Sequence, residues 1–118
     1  MAKADRLERL DNQRIALEAD YRAALVAALR TTAAGQWGLF GHTNDKHARA
    51  SAAPVIADLT ETGETIDGMR AQLGLEPFAL HRAFLDSRGP VSSSAVGEPK
   101  QAQAWLARLA AETDQGHA

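Results

Sequence analysis

Cysteine is absent from the 118 residues. That excludes a disulfide framework and thiolate metal sites, and it fits a reducing compartment, so the expected location is the cytoplasm. Long apolar runs are absent too: the longest, residues 23–29, falls far short of the roughly 20 residues that cross a bilayer as a helix. The start, Met-Ala-Lys-Ala-Asp-Arg-Leu-Glu-Arg-Leu, lacks the apolar stretch of a secretory signal, so no export is expected. An excess of charge of either sign is also missing. Thirteen Lys and Arg against 15 Asp and Glu leave a net charge of −2, which supplies no global field for polyanions; this counts against nucleic-acid binding and leaves only a local basic patch open. Aromatic residues are scarce at 5%, and much of the 45% hydrophobic content is alanine. Length and apolar content allow one domain with one core, residues 1–118, its ends at 1–3 and 114–118 frayed. Because alanine buries little area, that core must lean on a short list of Leu, Ile, Val, Phe and Trp side chains.

What is present is helical periodicity. Residues 4–34 read as one long helix with Leu7, Leu10, Leu17, Tyr21, Ala24, Leu25 and Ala28 on one side. The stripe also follows heptad spacing from 7 to 28, except that Arg14 stands where an apolar residue belongs. A polar residue at a seam costs stability but can fix register between paired helices; over a monomer's own core it would snorkel outward. Pro54 suits the first turn of a second helix, expected from about 54 to 73, in which Val55, Leu59, Thr62, Ile66, Met69 and Leu73 recur every three or four residues. The phase holds across Gly63, a candidate kink, and Gly74 stands where a left-handed cap would end the helix. Glu76-Pro77 opens a third helix running to about Ser87 and stopped by Gly89-Pro90; Phe78, Leu80, Phe84 and Leu85 form an apolar arc with His81 near its centre. Residues 91–97, containing Ser92, Ser93 and Ser94, have loop composition. Pro99 starts a fourth helix with Ala102, Trp105, Leu106 and Leu109 on one face. The expected fold is therefore an all-α, single-domain bundle of four helices, the first two antiparallel, the shorter two closing the core with Trp37 and Trp105.

Between the first two helices, residues 35–46 lose the helical pattern yet keep bulky apolar side chains. Glycine at 35, 38 and 41 permits positive φ and sharp turns, which aims Trp37, Leu39 and Phe40 inward as an apolar plug. The competing reading makes Trp37, Leu39, Phe40 and His42 a partner surface. The G-x-W-G-L-F-G-H element, carried by Gly35, Trp37, Gly38, Leu39, Phe40, Gly41 and His42, resembles one found in an uncharacterised family of small helical bacterial proteins. The resemblance covers this loop and, more loosely, the helices around it, and it implies no activity.

Chemistry-bearing residues are few. His42, Asp45 and His47 offer nitrogen and oxygen ligands within six residues, but helical i, i+4 spacing and an H-E-x-x-H arrangement are both missing, so no metal is assigned. The simpler reading has Thr43, Asn44 or Asp45 capping the segment that follows. His81 lacks a sequence-visible nucleophile or carboxylate to work with and reads as a hydrogen-bonded core histidine. The triple serine lacks the glycines and lysine of a phosphate loop. Residues 66–88 allow a helix-turn-helix reading, with Gly74 in the turn and His81, Arg82 and Arg88 toward DNA; Arg70 is large where two such helices must approach, and Pro77 and Asp86 fit poorly.

No catalytic signature, cofactor or metal site emerges. The reading favoured by the sequence is a protein–protein interaction module, not an enzyme, that forms a homodimer through Leu7, Leu10, Arg14, Leu17 and Tyr21 of the first helix, with Arg14 pairing with Asp11 or Glu18 of the other chain. The alternative is the DNA-binding one.

Overall fold

Helix α1 (Ala2–Ala33) is the spine against which α2 (Lys46–Gln72) and α4 (Glu98–Gly116) pack, and the short α3 (Ala79–Ser87) completes the bundle. The computed structural model describes residues 2–88 and 98–116, with side chains over 4–88 and 98–112, and no strand occurs among them. The fold is thus an all-α bundle of four helices. The helix stop expected at Gly89-Pro90 and the loop expected at residues 91–97 with Ser92, Ser93 and Ser94 lie outside the described residues.

Antiparallel packing of α1 and α2 follows from which residues meet. Gly38, just past α1, donates its backbone N–H to the Ala48 carbonyl in the first turn of α2, while Glu18 pairs with Arg70 near the end of α2. Helix α4 also runs against α1: its first residue, Glu98, meets the loop at His42, and Arg22 reaches the Leu109 carbonyl one helix length away.

Two helix ends close in the same way. After α1, Gly35 at φ +81° lets its own N–H and that of Gln36 turn back to the carbonyls of Thr32 and Thr31; after α2, Gly74 at φ +73° does the same for Ala71 and Arg70, with Leu75 as the second donor. Such paired bonds satisfy carbonyls that a helix end otherwise leaves open, and they need a left-handed residue that glycine supplies at least cost.

The start of α2 differs from the expectation. It begins at Lys46 and carries Pro54 in its interior. The Asp45 carboxylate accepts from the backbone N–H of His47 and Ala48, and the alanine-rich turn it caps outweighs the hydrogen bond that Pro54 cannot donate. Helix α3 starts at Ala79, two residues later than Glu76-Pro77 implied: Phe78 keeps an extended backbone as the cap residue, and its N–H donates to the Asp67 carboxylate at 2.8 Å. Helix α2 runs unbroken through Gly63. Helix α1 begins at Ala2 and α4 runs to Gly116.

The core gathers Tyr21, Leu25, Ala28 and Leu29 of α1, Leu59 and Ile66 of α2, Phe84 of α3, and Ala102, Trp105 and Leu109 of α4 around Leu39 and Phe40 of the loop. The plug is therefore a core element. Phe40 stacks on Trp105 with ring centres 6.2 Å apart. Trp37 is partly buried and packs against that core from outside its fully buried set.

Candidate functional site

The first half of α1 and the groove beside it form the candidate site. From residue 4 to residue 20 no side chain of α1 is buried; Leu7 is 41% and Ile15 51% exposed, with Leu10 and Leu17 half-buried. Helix α2 ends beside this half of α1, where Gln72 lines a notch with Arg6, Leu7, Arg9, Leu10 and Gln13. The first turns of α1 overhang the bundle, whose longest dimension is 55 Å. Tyr21, at the inner end of the expected stripe, is fully buried, and Ala24 is exposed.

At the base of the overhang sits an ion-pair cluster. Arg14 binds Asp11 at 2.7 Å and Glu18 at 2.8 Å, and the same Glu18 oxygen takes Arg70 of α2 at 2.8 Å. The hydrogen bond to Glu18, and then that to Asp11, raise the Arg14 pKa above its already high ordinary value. Both acids are thus engaged by Arg14 within one chain. Through Arg70 the cluster staples α1 to α2.

Further along, α1 and α2 flank an open groove of about 440 Å³. Leu17, Ala24, Ala28, Val55 and Leu59 supply apolar walls, Trp37 stands at the loop end, and Asp20 and Asp58 contribute one carboxylate from each helix. Both aspartates are exposed, and among the described residues neither has a hydrogen bond or an ion pair. The sequence reading missed the groove because it depends on which faces of two distant segments meet.

Tyr21 links the groove to α3. Its ring lines the groove wall, and its hydroxyl forms a 2.8 Å buried hydrogen bond with His81 Nδ1. Burial, and secondarily the Asp67 carboxylate, push the Tyr21 pKa up; burial holds His81 below its ordinary value against the pull of Asp67 and Glu64. Both groups are therefore neutral near pH 7. His81 is 1% exposed, which agrees with its reading as a hydrogen-bonded core histidine and removes it from the contacts of the alternative DNA-binding reading. Arg88 donates to the Leu39 carbonyl of the loop and lies over the Phe84 ring, so it too is turned from the surface role; of the three named residues Arg82 alone is exposed.

The loop residues separate as well. His42 donates its backbone N–H to Glu98 at 2.7 Å, and its Nε2 lies 3.1 Å from the Ser87 carbonyl. His42 Nδ1 and Glu98 Oε2 are buried, with no hydrogen-bond partner among the described residues. Asp45 caps α2 and His47 is exposed, so these three do not converge, and no group of three or more His, Cys, Asp or Glu able to hold a metal occurs among the described residues. Glu98 escaped the sequence reading, although an acid immediately before Pro99 at a helix start was a usable signal.

No family model, curated protein or solved structure matches this chain. The functional reading rests on the geometry alone. No helix among the described residues is long and apolar enough to cross a membrane.

Proposed function

We propose that this chain is a protein–protein interaction module that forms a homodimer through the N-terminal half of α1. The observation that carries the reading is an imbalance along one helix. Residues 4–20 contribute no fully buried side chain, whereas Tyr21, Leu25, Ala28, Leu29 and Thr32 are all buried within the next three turns. Isolated helices shorter than about 12–15 residues are marginal in water, so the overhanging turns of α1 gain from tertiary cover. Leu7, Leu10, Ile15 and Leu17 give that cover an apolar surface to hold.

Helix lengths refine the argument. At about 1.5 Å per residue, the 32 residues of α1 span about 48 Å and the 27 residues of α2 about 40 Å. Helix α2 is longer than the sequence suggested, but its added turns lie at the loop end, where Gly38 meets Ala48. The extra length therefore packs on the loop and leaves the start of α1 uncovered. A second copy is the simplest cover, since a two-fold axis lets one surface serve both chains.

The test is the concentration dependence of thermal unfolding. A folded dimer that dissociates on melting shows a midpoint that rises with protein concentration. A midpoint independent of concentration from low micromolar to hundreds of micromolar, in Leu10→Asp and wild type alike, contradicts the proposal.

A further inference from the structure

The exposed turns of α1 and the open groove are two unfilled surfaces on the same helix, and their chemistry is complementary. The turns carry Leu7 and Leu10 flanked by Arg6 and Arg9, neither of which has a hydrogen bond or ion pair among the described residues. The groove carries alanines and leucines between Asp20 and Asp58, also without partners. We infer that the two copies associate with their α1 helices antiparallel, each laying its Arg6–Leu10 turns into the other's α1–α2 groove.

This inference rests on the self-association reading and specifies it. Small side chains at Ala24, Ala27 and Ala28 let a second helix approach closely, which is where an apolar stripe gains most from burial. Leu7 and Leu10 then replace water over the groove floor, while Arg6 and Arg9 come to the rim that holds the partner's Asp58. A two-fold axis near Leu17 sets Leu10 opposite the partner's Ala24, twice over, since the two positions lie on one face of α1. A parallel, in-register pairing does neither: it juxtaposes Arg6 and Arg9 with their own copies, a like-charge arrangement, and leaves both grooves empty.

The absence of cysteine makes the arrangement directly readable by cross-linking. Three variants suffice: Leu10→Cys, Ala24→Cys and the double variant carrying both, at positions of α1 that are not buried. Positions 10 and 24 lie about 21 Å apart on one helix, so they cannot join within a chain. Under mild oxidation the double variant is expected to run mostly as a covalent dimer, and each single variant as a monomer, in denaturing electrophoresis. Self-linking of Leu10→Cys alone, as a parallel pair gives, overturns the inference. So does failure of the double variant to link while light scattering of the reduced protein shows the mass of two chains, and in both cases self-association itself still stands. A reduced double variant with the mass of one chain removes the dimer and this arrangement together.

Discussion

His81 lies against Gly63 so closely that a Cβ built on that glycine falls 2.2 Å from the imidazole Nδ1. The ring cannot retreat, because it is fully buried and its Nδ1 is hydrogen-bonded to Tyr21. A glycine that costs helix propensity in α2 is thereby the condition for α3 to dock.

Two glycines five residues apart should then respond in opposite senses. Gly68→Ala meets nothing within 4 Å and should stabilise the protein by up to about 1 kcal/mol through helix propensity. Gly63→Ala gains the same propensity but drives a methyl into a buried ring, with a net loss of about 1–3 kcal/mol. Urea denaturation of both variants checks this; equal and favourable shifts contradict the packing.

His81 also sets a pH dependence. Its folded-state pKa is below the ordinary 6.5, mainly through burial, with Asp67 and Glu64 of α2 pulling up and Arg82 of α3 pushing down. The unfolded chain therefore takes up this proton at a higher pH than the folded one. The stability tied to neutral His81 is fully present above about pH 6.5 and declines as pH falls from there through the folded value. The thermal midpoint should drop between pH 7.5 and 5.5, and His81→Gln should flatten that drop. Parallel curves for the variant and wild type count against it.

The plug gives a graded pair. Phe40 is 1% exposed and stacked on Trp105, so Phe40→Ala should cost about 3–5 kcal/mol. Trp37 is half-buried at the groove end, so Trp37→Ala should cost about 1–2 kcal/mol. The reverse ranking in chemical denaturation contradicts the assignment of Phe40 to the core and Trp37 to the groove.

These residues show where sequence reading succeeds and where it stops. The stripe of α2 and the cap at Gly74 were legible because both are local: a 3.6-residue period and a glycine at its end specify them. The start of α2 was misjudged between two local signals, Pro54 at a first turn and Asp45 as a cap, because cap strength and alanine propensity add over the turn that separates them. Trp37 and Phe40 have the same local context, three positions apart, and only the path of the loop across α4 and α2 separates their fates. The Tyr21–His81 contact spans 60 positions and left no local trace. Gly63 did leave one, a glycine inside an unbroken stripe, which signals a close neighbour without naming it.

Glu98 ties α4 to the loop through the His42 N–H. Glu98→Ala leaves that amide unpaired and should cost about 1–3 kcal/mol, while Glu98→Gln, which keeps an acceptor, should lose less. Thermal melts of the two variants distinguish a hydrogen-bonding role from a purely steric one, which predicts equal losses.

The central claim is that the overhanging turns of α1 are covered by a second copy. Light scattering coupled to size exclusion at tens of micromolar protein tests it most directly. The account predicts a mass near twice the 12.6 kDa chain, falling to that of one chain in Leu10→Asp with helical circular dichroism retained. A wild-type mass of one chain at that concentration, unchanged by Leu10→Asp, contradicts it.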